Sequence, residues 1–358
     1  MKTTKIKKEV LKKEIVSLFA IVVFAFCFIL TACENREIGC VEEKEKQNYY
    51  FLLLKDDATI SLNTYKNGRI KEHRTFTIPE NSLFATDGKE RVAILDIDNN
   101  LVTLYEIETS TEIELSVPFR IRPKAILINS YNLFVGGETG FIEMLAQYHI
   151  ENEEWYPLEL PQGVYWGRRA IDDLVVNDSL LIAIDNVVMP KYILFYHLNS
   201  TGKLAFSHFE MLKPNGAWET IRQGRITPEY LGILSQTRSG YIGIHDHIAI
   251  YNDLDLTSSF VITIRGGNMR IPIINDFILM GDKVFIAHRE NGLGIFEIKD
   301  SYFSDGHFFN EEVDSDKINF KPFENEELIR LTKIPETTKI VLTIRNEQGN
   351  IRHEIMNS

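Results

Sequence analysis

From Tyr49 to the end of the chain one element recurs: a short run of apolar and β-branched residues closed by a turn signal. It is read in YYFLLL, RVAILDID, LVTLYEIE, NLFVGG, DLVVNDSLLIAID, YILFYHL, YIGIHDHIAIYND, FILMGDKVFIAH, GIFEI and KIVLTIRN. Runs this short, bounded by Gly, Asn and Asp, are strands rather than helices. No stretch of the body keeps apolar residues at helical spacing for three turns, so it is expected to be all-β. Seven runs open alike, a polar turn followed by apolar residues, at Tyr50, Val92, Leu133, Leu180, Tyr241, Val284 and Ile340. The intervals are 42, 41, 47, 61, 43 and 56 residues, near the ~40–50 residues of a four-stranded repeat.

The best internal match sets NDSLLIAID (Asn177–Asp185) against GDKVFIAHR (Gly281–Arg289), each a turn entering a buried strand. Asn67-Gly68 and Asn291-Gly292 are turn pairs of the type I′ kind, and Gly136-Gly137 and Gly349 mark further turns. The segment Gly281–Asp300, GDKVFIAHRENGLGIFEIKD, resembles the LVIVD-type propeller repeat: a strand ending in a small residue, an N-G-L turn, then an alternating strand. That resemblance implies an all-β β-propeller of seven blades, with six or eight as alternatives and a β-sandwich as the rival fold; it carries no activity. Closure is expected to pair the strand near Tyr49–Leu54 with strands of the last repeat, because a closed ring leaves no long exposed edge.

The N-terminal 32 residues read as a signal peptide. Six lysines and two glutamates form a basic start, and Ile15–Leu30 is an uncharged apolar run of 16 residues, shorter than the ~20 of a comfortable span. Leu30-Thr31-Ala32-Cys33 resembles the bacterial lipobox, which implies cleavage before Cys33 and a diacylglycerol on its thiol, with palmitate-like chains holding the protein to a membrane. The expected organisation is therefore 1–32 signal, 33–48 acylated cysteine and polar tether, and 49–358 propeller. The expected location is the cell envelope, outer membrane preferred over inner. After processing only Cys40 remains as a thiol, which leaves no internal disulfide and requires a large core. Basic residues fall from 39 to 33 and acidic ones from 51 to 49, so the net charge moves from −12 to −16. Such a surface repels nucleic acid, and no nucleic-acid partner is expected.

No local catalytic motif or cofactor fingerprint is present: the chain lacks G-x-S-x-G, H-E-x-x-H, a P-loop and C-x-x-C. His245-Asp246-His247 places two imidazoles on one strand face, a metal pair only if a third ligand joins them, and polar strand histidines otherwise. Asp96-Ile97-Asp98-Asn99-Asn100 has oxygens at alternating spacing but reads first as a hairpin turn, with calcium as the alternative. Arginines recur just before the strands expected to be innermost: Arg120 and Arg122, Arg168 and Arg169, Arg222 and Arg225, Arg265 and Arg270, and Arg330. With Trp166 and Trp218 nearby in sequence, Arg122, Arg169, Arg225, Arg270 and Arg330 form a candidate collar for an anionic or carbohydrate ligand. Two classes of function are compatible with this pattern. One is a non-catalytic module binding a ligand or protein. The other is an envelope enzyme, a glycan lyase or hydrolase, working at the channel mouth.

Overall fold

The computed structural model describes residues 48–118, 122–139, 143–159, 169–177, 179–185, 191–199, 203–212, 219–239, 243–252, 258–265, 273–305, 312–314 and 317–358. Internal contacts divide the chain into Met1–Asn48 and Tyr49–Ser358, and every described residue except Asn48 belongs to the second unit. Cys33, Trp166, Trp218, Arg270, Arg120 and Arg168 lie outside the described residues, and at Arg169 and Arg265 only the backbone position is described.

The body is all-β. Its helical content includes the single 3-10 turn Asp300–Tyr302. The strands form seven antiparallel meanders, the third and fourth linked by a short ladder that pairs Arg169 with Thr139 and Ala170 with Glu138. Their first strands are Tyr50–Asp56, Ser82–Thr86, Arg122–Ile128, Arg169–Val176, Glu219–Ile226, Ile274–Met280 and Glu326–Lys333. Each of these lies beside the first strand of the next meander, and the seventh lies beside the first, so the seven make a closed inner ring. Outer strands are added at the fifth sheet by Ser304–Asp305 and Glu312–Asp314, and at the sixth by Asn319–Lys321.

The sequence pattern follows from position in this ring. Second strands such as Leu180–Asp185 are buried along their whole length, because both faces meet a neighbouring sheet, and so they read as unbroken apolar runs. Outer strands such as Thr111–Ser116 are almost wholly exposed and correspondingly polar. Val92, Leu133, Leu180, Val284 and Ile340 all fall on second strands, not innermost ones; Tyr50 lies on a first strand, and Tyr241 is outside the described residues. Gly136 is not a turn residue either. It sits within the strand Asn132–Thr139, where a Cβ would come 2.6 Å from Ile171 Cγ2 of the next sheet. Asn67 and Gly68, by contrast, have φ of 53° and 79°, as the paired left-handed residues of a type I′ turn require.

Seven buried apolar clusters, one at each junction between adjacent sheets, hold the ring together among the described residues. The largest packs Ile248, Ile250, Phe260 and Ile262 of the fifth sheet on Phe277, Val284 and Ile286 of the sixth. The smallest joins Phe51 and Leu53 of the first sheet to Ile334 and Val341 of the seventh. Closure therefore differs from expectation. The strand Tyr50–Asp56 pairs in register with Thr59–Lys66, and the first and seventh sheets remain separate three-stranded units. Their junction is made by side chains: the four-residue cluster, His353 Nε2 donating to the Leu54 carbonyl at 2.9 Å, and Arg345 paired with Asp57 at 2.7 Å.

Candidate functional site

Of the described candidate arginines, Arg122, Arg169, Arg222, Arg225 and Arg330 lie on the innermost strands themselves rather than ahead of them. Arg122 opens the first strand of the third sheet, Arg222 and Arg225 sit within that of the fifth, and Arg330 within that of the seventh. Arg169 opens the first strand of the fourth sheet, whereas Arg265 ends the fourth strand of the fifth, away from the ring. Arg122 is exposed. Arg225 and Arg330 lie within electrostatic reach of one another.

Five of the inner strands carry a bulge at a matching place, between Pro123 and Ala125, Ile171 and Asp173, Ile221 and Gln223, Ile274 and Asp276, and Leu328 and Arg330. A bulge re-aims the side chains around it, and here it turns polar groups onto the next sheet. Asp173 Oδ2 accepts the Gly224 N–H at 2.6 Å, and Oδ1 that of Leu174 at 3.0 Å. Asp276 repeats the arrangement two junctions further round: Oδ2 accepts the Leu331 N–H at 3.0 Å and Oδ1 that of Phe277 at 2.8 Å. Oδ1 of Asp276 also takes Gln223 Nε2 and Arg225 Nη2, both at 2.9 Å. Lys124 reaches Asp172 at 3.0 Å, and Asn275 Nδ2 reaches the Leu328 carbonyl at 2.9 Å. Gly224 is needed at its place because a Cβ there would meet Ile184 Cδ1 at 2.8 Å. That closeness is what lets Asp173 take its N–H.

Asp246 has a second stitching role. Fully buried on the third strand of the fifth sheet, it accepts the Ile273 and Ile274 N–H groups at 2.9 and 2.6 Å and Gln236 Nε2 at 3.0 Å, with Arg222 Nη1 at 3.4 Å. The flanking histidines share a face with ring centroids 6.4 Å apart, and His247 Nδ1 bonds the Thr263 hydroxyl at 3.0 Å. No group of three metal-ligating side chains occurs among the described residues. Asp96 is likewise engaged within its own turn, taking the Asn99 backbone N–H at 3.0 Å and Nδ2 at 2.8 Å, the hairpin arrangement expected first for that segment.

Electrostatics separate the two repeated carboxylates. Burial pushes Asp173 up to about 6, against the pull of Arg225 and of its backbone donors, with Asp276 adding repulsion. A carboxyl raised above its unfolded value of ~3.9 keeps a proton in the folded state that the unfolded chain has released. Stability from this group therefore falls as pH rises from about 4 to about 6 and is level above that, by at most about 3 kcal/mol and less where channel water screens the charge. Burial holds His73, His288 and His353 below the ordinary histidine range, which acts in the opposite sense. The clean measurement is thus the difference between wild type and Asp173→Asn in melting temperature. It is expected to move against the wild type as pH is raised through that window, and a pH-independent difference contradicts the assignment.

Against proteins of known structure the chain is similar to β-propellers. It resembles the β-propeller domain of Cps50 (Swd1) from Myceliophteria thermophila with a TM-score of 0.56 and 11% identity, over 87% of this chain and 98% of that one. The RRP9 WD40 repeats match with a TM-score of 0.54 and 10% identity, over 88% and 92% of the two chains. A chain of the mitotic checkpoint complex matches with a TM-score of 0.52 and 12% identity, over 87% of each. No protein-family model and no curated protein matches the sequence. At these identities the likeness is one of fold, and the fold is an all-β propeller.

Proposed function

We propose that the chain is a lipid-anchored protein of the bacterial cell envelope whose body is a seven-bladed propeller acting as a non-catalytic binding module for a ligand or protein. The observation that carries the reading is the commitment of the inner polar groups. Asp173, Asp246, Asp276, Gln223 and Arg225 all bond to a neighbouring sheet or to the backbone beside them, which makes the ring a rigid platform. A general acid or base needs a lone pair or proton directed at substrate. Asp173 has the raised pKa of such a group, yet both its oxygens already accept backbone N–H groups. The fold supports a protein partner in a general way, since one similar structure is that of the mitotic checkpoint complex. The lipobox-like Leu30–Cys33 and the basic, apolar N-terminus support the anchor, and the acidic mature charge argues against nucleic acid.

Mass spectrometry of the protein from native membranes tests the anchor. The expected first residue is a diacylglyceryl-modified Cys33, and exchanging residues 1–33 for a cleavable leader without cysteine should release the body into the soluble fraction. An intact N-terminus at Met1, or release of the unmodified protein by salt alone, defeats the anchor. Crosslinking in intact envelopes tests the module: a stoichiometric partner or ligand is expected, whereas turnover of envelope glycans by the purified protein defeats the non-catalytic reading.

A further inference from the structure

We propose that the Arg330 guanidinium is the recognition group of a carboxylate-binding site inside the ring, which gives a ligand class to the binding module proposed above and rests on that reading. Side chains from four innermost strands meet there. Arg330, from the seventh sheet, lies with its guanidinium carbon 4.7 Å from the ring centroid of Phe84, on the second sheet's first strand. It thereby reaches past the first sheet's strand that stands between them in the ring. Asp276 of the sixth sheet and Arg225 of the fifth are within electrostatic reach.

Asp276 does not serve as its hydrogen-bond partner. Asp276 already takes four donors, Phe277, Gln223 and Arg225 on Oδ1 and Leu331 on Oδ2, and makes no hydrogen bond to Arg330. Arg225 donates from Nε to the Phe277 carbonyl at 3.0 Å, from Nη1 to that of Gly224 at 2.8 Å and from Nη2 to Asp276, so it too is engaged. Arg330 alone of this set has no protein hydrogen-bond acceptor among the described residues, and its guanidinium carbon lies over the Phe84 ring. Arg330 is half-buried, and a guanidinium with no protein acceptor beside an aromatic ring keeps its planar fork free for a planar, bidentate anion. Local charge limits the anion to a single negative charge. Arg225 and Asp276 pair at 2.9 Å and balance each other, which leaves Arg330 as the one unpaired positive charge of the set. A monocarboxylate satisfies both the geometry and the charge, whereas a phosphate dianion does not.

The test uses the full chain in detergent micelles, followed by thermal unfolding at constant ionic strength with sodium acetate, sodium phosphate or sodium chloride. Acetate should raise the melting temperature saturably, by about 2 °C at ten times its dissociation constant, with a weaker effect from phosphate. Arg330→Met, which keeps a stem against Phe84, should abolish the response. Arg330→Lys, the measure to rely on if the methionine variant does not fold, should weaken acetate at least about tenfold through loss of the fork. No saturable rise above chloride, an equal rise in either variant, or tighter binding of phosphate overturns the site. Loss of the acetate response with envelope crosslinking partners intact removes this site and leaves the binding module standing. Acetate binding without any envelope partner or carboxylate ligand removes the module reading instead.

Discussion

Asp246→Ala is expected to lower the unfolding free energy of the propeller by about 3–5 kcal/mol, measured by urea denaturation at neutral pH. The carboxylate is 0% exposed and holds two backbone N–H groups, an amide and a guanidinium. Alanine leaves the two backbone N–H groups and the Gln236 amide without this acceptor, while Arg222 keeps the Ile274 carbonyl at 2.7 Å, and each lost acceptor costs about 1–3 kcal/mol before any relaxation. Against a total of about 5–15 kcal/mol for a domain, that is enough to depopulate the folded state in a marginal background. Asp246→Asn retains one acceptor oxygen but presents an NH₂ to groups that are themselves donors, so it should fall between wild type and alanine. A cost below about 1 kcal/mol for alanine would show that the donors find other acceptors.

The second large effect belongs to Asp276 and is tested best as a cycle. Asp276→Ala leaves Gln223 and the Leu331 N–H without this acceptor and takes the counter-charge from Arg225, which keeps its two carbonyl partners, and should also cost about 3–5 kcal/mol. Removing the charge as well, in Asp276→Ala with Arg225→Met, should recover part of that, because much of the single-variant cost is an uncompensated guanidinium rather than a lost attraction. The expected coupling is about 1–3 kcal/mol. Strictly additive costs would mean that the 2.9 Å pair contributes no more than its separate hydrogen bonds to the backbone.

How far the sequence discloses this molecule depends on where each strand sits. Second strands are buried on both faces, so Leu180–Asp185 and Lys283–His288 stand out as apolar runs and their likeness reveals the repeat. Inner strands border a polar channel on one side and carry a bulge. Arg122–Ile128, Arg169–Val176 and Glu219–Ile226 therefore mix charge with apolar residues, and their arginines read as parts of connections leading inward. The signal that finds them is the recurring Ile-x-Asp followed by three apolar residues, Ile171–Val176 and Ile274–Leu279. In it the Asp is the stitch to the next sheet and the residue before it is the bulge. Asp246 is visible in the sequence only as the middle of a histidine pair. Nothing local marks it as an acceptor for backbone groups about 27 residues away, since that depends on how one sheet stacks on the next.

The junction between first and seventh sheets has a mechanical consequence. Other junctions, such as the fifth with the sixth, combine a broad apolar contact with buried carboxylate bonds to backbone. This one rests on Phe51, Leu53, Ile334 and Val341, with Tyr65 and Ile70 packed against them, two polar links and the Lys339 ammonium over the Tyr65 ring. The strand Tyr50–Asp56, the first after the polar stretch that ends at Asn48, is one side of it. Tension transmitted along the chain from its N-terminal side thus loads the joint with the smallest buried apolar cluster among the described residues. Under pulling force the ring should part there first, like a clasp, with the remaining six junctions still fastened, and a force–extension trace should record that opening as a small early step before the main rupture.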